Sequence, residues 1–139
     1  MVLKNITYVK AKDIMTTDFF VCKEDFNLFL AIDKILRKKV HSIVVVDENK
    51  KVKDIISATD LLKIIFLDYK DYQSMKISEI SRNREIIYIK EDTDIVKIVK
   101  IMKEKGISTI IVLNDMFEPI GIVHIKDVLK VLEQIYFGQ

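Results

Sequence analysis

The sequence holds one cysteine, one proline, three glycines, two histidines and no tryptophan among its 139 residues. The lone thiol, Cys22, excludes an internal disulfide framework, and Cys22 with only His41 and His124 gives no zinc-ligand spacing. A structural metal is not expected. So few glycines leave no Gly-rich phosphate loop, no nucleophile has a visible base, and neither histidine has an acidic partner legible in the sequence, so an enzyme is not expected either. No unbroken apolar run is longer than residues 28–32, far short of the roughly 20 residues that a membrane-spanning helix needs. The opening residues lack the pattern of a secretory signal, and the chain is expected in the cytoplasm. Lys and Arg total 23 against 21 for Asp and Glu, and a net charge of +2 is too small to draw nucleic acid by itself.

What is present is enough apolar matter for a core, 50% of all residues, so a disordered tail is excluded. A surface of Lys and Glu, abundant Ile and few flexible residues is a pattern reported for heat-adapted proteins.

The organising feature is a repeat. A shift of 67 residues lays Lys23-Glu24-Asp25 on Lys90-Glu91-Asp92, Lys38 on Lys105, Ile43 on Ile110, Val45 on Val112, Ile55 on Ile122, Asp60 on Asp127 and Leu62-Lys63 on Leu129-Lys130. About ten identities without a gap stand where a chain of this composition gives roughly four by chance. Leu28, Ala31, Ile32 and Ile35 fall on Ile95, Ile98, Val99 and Met102, the same helical stripe in both halves.

Each half predicts one order of elements. A short helical turn (12–15; 77–80) precedes a short strand (19–22; 86–89) and an amphipathic helix (26–39; 93–105). Acidic residues suit the start of that helix, and in the second copy Gly106 suits its end. Two strands follow, 42–47 with 51–56 and 108–113 with 118–123, and a last helix closes each copy at 58–68 and 125–136. The expected organisation is an N-terminal segment 1–10, a first repeat 11–68, a connection 69–75 and a second repeat 76–139. So small a unit buries only about 60% of its chain surface. Two β-α-β-β-α copies of an α/β fold are therefore expected to pack through their sheets about a pseudo-twofold axis, leaving two equivalent clefts for a ligand. Phe26, Phe29 and Phe66 are expected in the core, as packing is for Met15, Met75, Met102 and Met116. Tyr69 and Tyr72 are expected between copies or subunits.

The strand-to-helix junctions, Asp54-Ile55-Ile56-Ser57-Ala58-Thr59-Asp60 and Gly121-Ile122-Val123-His124-Ile125-Lys126-Asp127, resemble those of the cystathionine β-synthase-type (CBS) domain family, in tandem. That pattern reads Gly, two apolar residues, Thr or Ser, two variable residues, Asp. Lys12-Asp13-Ile14-Met15-Thr16 and Val40-His41-Ser42-Ile43-Val44-Val45-Val46-Asp47 are similar as well. The resemblance implies a regulatory module that binds an adenosine-containing ligand (AMP, ADP, ATP or S-adenosylmethionine), does no chemistry, forms a homodimer and signals to a partner protein.

It further implies that Asp60 and Asp127 accept hydrogen bonds from ribose hydroxyls and that Ser57 and His124 contact phosphate. A carboxylate can engage two neighbouring hydroxyls, and a helix N-terminus favours an anion. The adenine would lie near Thr17 and Phe19, or Asn83 and Ile86, and against His41-Ser42 or Ser108-Thr109. Thr59 and Lys126 complete the candidate set. Asp54 in place of Gly, Val44 and Ile111 in place of Pro, and His124 in place of Thr or Ser depart from the pattern, and Lys126 favours the second cleft for phosphate.

A plainer reading stands beside this. Ser57 to Asp60 is also a capping box, in which Ser57 caps the helix and Asp60 bonds back to the backbone. Histidine is a poor N-cap, which favours a ligand role at His124, with protonation strengthening its hold on phosphate. A dimerising scaffold with vestigial clefts is the alternative function. Carboxylates both folded onto their own amides, with no opening beside them, would exclude the ligand.

Overall fold

Near-continuous runs of β-branched residues make the central strand of each of two sheets. In the computed structural model, which describes residues 6–68, 71–82 and 85–138, the elements in chain order are α1 (Ala11–Ile14), β1 (Phe19–Lys23), α2 (Leu28–Lys38), β2 (Ser42–Val46), β3 (Val52–Ser57), α3 (Ala58–Phe66), β4 (Tyr88–Lys90), α4 (Ile95–Lys105), β5 (Thr109–Leu113), β6 (Pro119–His124) and α5 (Ile125–Phe137), with 3₁₀ turns at Ile6–Tyr8 and Ile77–Glu79. The fold is mixed α/β with two three-stranded sheets, ordered β1-β2-β3 and β4-β5-β6. In each sheet the first pair is parallel and the second antiparallel.

The chain falls into two units, residues 18–86 and residues 1–17 with 87–139. In the first, Leu28, Ala31 and Ile35 of α2 pack with Ile43 and Val45 of β2; in the second, Ile98 and Met102 of α4 pack with Ile110 and Val112 of β5. Burying each of these larger side chains contributes about 1.5–3 kcal/mol. The opposite faces of the central strands are closed as well, with Val44 and Ile111 fully buried.

The 67-residue correspondence extends to details that no hydrophobic pattern carries. Asn27 caps α2 by accepting from Leu30 N at 2.9 Å, and Asp94 caps α4 by accepting from Lys97 N at 3.0 Å. The expected acidic start thus holds for α4, while α2 uses an amide. Both helices end on a left-handed residue, Lys39 (φ 56) and Gly106 (φ 64). The hairpin turns match too. Asp47 Oδ1 accepts from Asn49 N and Lys51 N at 2.8 and 3.0 Å, as Asn114 Oδ1 does from Met116 N and Glu118 N at 2.9 and 3.0 Å. The Lys51 amide, the largest influence, holds the Asp47 carboxyl below its ordinary range.

The short segment that opens the first repeat in sequence packs in the unit of residues 87–139. Ala11 N and Lys12 N donate to Thr93 O and Glu91 O at 2.8 and 2.9 Å, and Ala11 is fully buried. Its counterpart, Ile77–Glu79, packs in the unit of residues 18–86, with Ile77 N and Ser78 N donating to Phe26 O and Glu24 O at 2.9 and 2.8 Å.

Some expected core residues lie elsewhere. Phe66 is 64% exposed, and Met116, expected to pack, is 78% exposed, because among the described residues no element of the same unit covers either. Phe29 is 43% exposed and stacks on Tyr72 with ring centroids 6.1 Å apart. Tyr69 lies outside the described residues. Cys22 is an apolar strand residue of the core, its thiol pushed up to about 12 by burial and then by the nearby Asp25 charge, so it is no nucleophile at neutral pH.

Candidate functional site

Each sheet ends in a lateral row that delivers polar side chains to a helix start. In the unit of residues 18–86, Phe19, Ser42 and Ser57 are neighbours across β1, β2 and β3. Ser57 then becomes the N-cap of α3, and the connection is closed by Ala58 N donating to His41 O at 3.0 Å. In the other unit Thr109 pairs with His124 across β5 and β6, His124 is the N-cap of α5, and Ile125 N donates to Ser108 O at 2.8 Å.

The geometry thus gathers Phe19, His41, Ser42, Ser57, Thr59 and Asp60 in one unit, and Ser108, Thr109, His124, Lys126 and Asp127 in the other. Thr17 falls in the unit of Asp127 and Ile86 in the unit of Asp60. Asn83 lies outside the described residues.

Both aspartates complete capping boxes. Asp60 Oδ2 accepts from Ser57 N and from Ser57 Oγ, each at 3.0 Å, while Ser57 Oγ accepts from Asp60 N at 3.2 Å. Asp127 Oδ2 accepts from His124 N at 2.8 Å. Histidine proves an adequate N-cap here, contrary to expectation, because Nδ1 accepts from Lys126 N at 3.1 Å. That bond uses the Nδ1 lone pair, so a doubly protonated imidazole cannot make it. Each carboxylate therefore folds back through one oxygen, and each remains partly open to solvent, Asp60 with 27% of its side chain exposed.

The surroundings of the two carboxylates differ. Asp60 Oδ2 also receives Arg82 Nη2 at 3.1 Å. Arg82 is held there through its backbone, since Arg82 N donates to Asp54 Oδ2 at 2.8 Å. Asp54 is fully buried, and it also accepts from Ile55 N at 2.8 Å and Ser81 Oγ at 3.4 Å. A buried carboxylate survives only with such donors. In the other unit the matching position is Gly121, against which Met15 lies; a Cβ there would stand 2.3 Å from Met15 Sδ. The Thr16 and Ile122 backbones exchange hydrogen bonds of 2.8 and 2.9 Å.

Sequence reasoning missed two participants, Arg82 and Asp18. The Asp18 carboxylate pairs with His41 Nδ1, giving that histidine the acidic partner that its sequence neighbours lack. The signal for Arg82 was the aspartate at position 54, a charge in a strand that must find donors. Among the described residues no group of three or more His, Cys, Asp and Glu could hold a metal ion, and no helix is long and apolar enough to cross a membrane.

Comparison with known proteins places these junctions in a family. The CBS domain matches residues 11–67 and 77–134. The magnesium transporter MgtE of Thermus thermophilus is 26% identical over an alignment of 133 residues that covers 89% of this chain and 27% of the transporter. Among solved structures, the cytosolic domain of the Mg2+ channel MgtE in complex with ATP is similar with a TM-score of 0.71 at 23% identity, over 93% of this chain and 51% of that one. The CBS domain pair of protein MJ0100 in complex with 5′-methylthioadenosine and S-adenosylmethionine is similar with a TM-score of 0.72 at 23% identity, over 90% of this chain and 96% of that one.

Proposed function

Because the chain belongs to the CBS domain family and carries the domain twice in tandem, we propose that it is a regulatory module binding an adenosine-containing ligand at the starts of α3 and α5. AMP, ADP, ATP and S-adenosylmethionine are the ligand class. The observation that carries this reading is the pair of partly exposed carboxylates at the third residue of each helix, each spending Oδ2 on its cap. A carboxylate has about four acceptor positions, so at Asp127, where the cap takes one bond, capacity is left for a ribose diol. The helix N-terminus favours a phosphate or a carboxylate on the ligand's other end. The ligands named for the similar structures share adenosine and little else, which supports the sugar and base as the recognised part.

The module passes the bound state to a partner protein, as the likeness to one part of a transporter supports. The same ligand class fits action in the cytoplasm. Phe29 and Leu36 on α2 and Val99 on α4, 43%, 70% and 42% exposed, favour a homodimer through these helices, since exposed apolar faces of this kind mark contact surfaces.

The dimerising scaffold is the competing reading, favoured by the completed capping boxes themselves. Thermal unfolding separates the two. A ligand at about 100 times its dissociation constant stabilises the fold by about 2.7 kcal/mol. We expect an upward shift of melting temperature with at least one of AMP, ADP, ATP, S-adenosylmethionine and 5′-methylthioadenosine, lost when Asp60→Ala and Asp127→Ala are combined. No shift with any of them leaves the scaffold.

A further inference from the structure

We propose that Arg82 is a specificity-determining residue that closes the α3 start to a sugar diol and leaves Asp127, at the start of α5, as the diol acceptor. This rests on the ligand reading above and assigns to the chain an inequality between its two sites.

The inequality begins at one strand position. Where β6 has Gly121, β3 has Asp54, and its carboxylate is fully buried. A charge so placed recruits whatever donors the fold can bring, among them Ile55 N, Ser81 Oγ and Arg82 N. Ser81 and Arg82 belong to the segment that follows Ile77–Glu79, and the Arg82 N–H pins its backbone. The Arg82 side chain, half-exposed, is then delivered to Asp60 Oδ2, 3.1 Å away. One oxygen accepts from Ser57 N, Ser57 Oγ and Arg82 Nη2, and a diol approaching Asp60 must compete with a cation already in place.

The matching segment of the other unit makes no such delivery. Thr16 pairs through its backbone with Ile122, and its short neutral side chain carries no charge to Asp127. A charge-assisted bond at Asp127 is therefore open to the incoming hydroxyls, whereas at Asp60 it is made internally. The Arg82 main chain is held by Asp54 independently of Asp60, so the side chain starts beside the carboxylate whether or not the pair is closed.

The test uses 5′-methylthioadenosine, a diol without phosphate, in titration calorimetry on the full chain. Asp127→Ala should weaken binding at least tenfold, and Asp60→Ala, whose carboxylate already holds Arg82, should weaken it by clearly less than Asp127→Ala does. In an Asp127→Ala background, Arg82→Gln should tighten the remaining site about threefold to fivefold, the range expected for releasing one partly exposed ion pair. Adding Asp60→Ala should erase that gain. Weaker binding in Arg82→Gln would overturn the proposal, making Arg82 part of the site, and so would a loss confined to Asp60→Ala. A readout without ligand keeps the gate testable by itself: the Arg82 Nη2–H NMR signal should exchange with water faster in Asp60→Asn than in the wild type, and equal rates would overturn it. No binding by any variant would instead defeat the ligand reading, even with the Arg82 signal behaving as expected.

Discussion

In one unit the segment leaving α1 lays Met15 against Gly121; in the other, the segment leaving Ile77–Glu79 gives Ser81 and Arg82 to Asp54. Both segments do the same job, covering the end of a sheet, and both are anchored by paired backbone bonds at their start. One does it by deleting a side chain so that a thioether can approach. The other does it by burying a charge and surrounding it with donors. The consequence reaches beyond packing, because the second solution also sets a guanidinium on Asp60, while among the described residues no cation is set on Asp127 in the same way. A duplicated fold thus holds two helix starts that are alike in backbone and unlike in electrostatics.

The comparison is broken most severely at Asp54. Asp54→Ala would leave Arg82 N and Ile55 N without their buried acceptor and unpin the Arg82 backbone. Removing one partner of a buried charged network costs about 3–5 kcal/mol. We expect a loss of that size in urea unfolding, together with release of Arg82 from Asp60. A loss below about 1 kcal/mol would mean that the buried carboxylate does not hold this segment.

The opposite solution is tested at Gly121. In Gly121→Ala the new methyl would stand 2.3 Å from Met15 Sδ and 2.8 Å from Met15 Cγ, so the methionine must swing aside. Overpacking of this kind costs about 1–3 kcal/mol. Met15→Ala in the same chain should return much of it, and a double-mutant cycle reads the coupling directly. Simple additivity of the two losses would show that the methionine does not require the glycine.

Much of this was legible in the sequence, and the limits have physical causes. The repeat, the element order and the core stripes follow from period and shift, because burial on one face writes itself into spacing. The Ser57 capping box was readable for the same local reason. His124 as a cap was not, since residue preferences rank side chains by type and take no account of an imidazole lone pair aimed at the amide of Lys126. Nor could local pattern tell which sheet a four-residue helix would join; Ala11–Ile14 is too short to fold alone and takes its place from Glu91 and Thr93. Arg82 and Asp60 are 22 residues apart, a contact made by the fold, and only the aspartate at 54 hinted at it. Apolar spacing in α3 marks a face for Phe66 without saying whether anything covers it.

The smallest expected effect lies where the two units match in shape and differ only in residue. Lys39 ends α2 at φ 56, ψ 37 and Gly106 ends α4 at φ 64, ψ 38, the left-handed conformation that closes a helix. An L-residue pays about 1–2 kcal/mol to stand there, which glycine avoids. Glycine also widens the unfolded ensemble, which takes back about 0.4–1 kcal/mol. Lys39→Gly should therefore stabilise the chain by about 0.5–1 kcal/mol, read as a higher denaturant midpoint at unchanged slope. Gly106→Lys should lose a similar amount. If Lys39→Gly were instead destabilising, the lysine side chain would have to contribute more than its backbone costs, and the ends of α2 and α4 would be equivalent in dihedral angles alone.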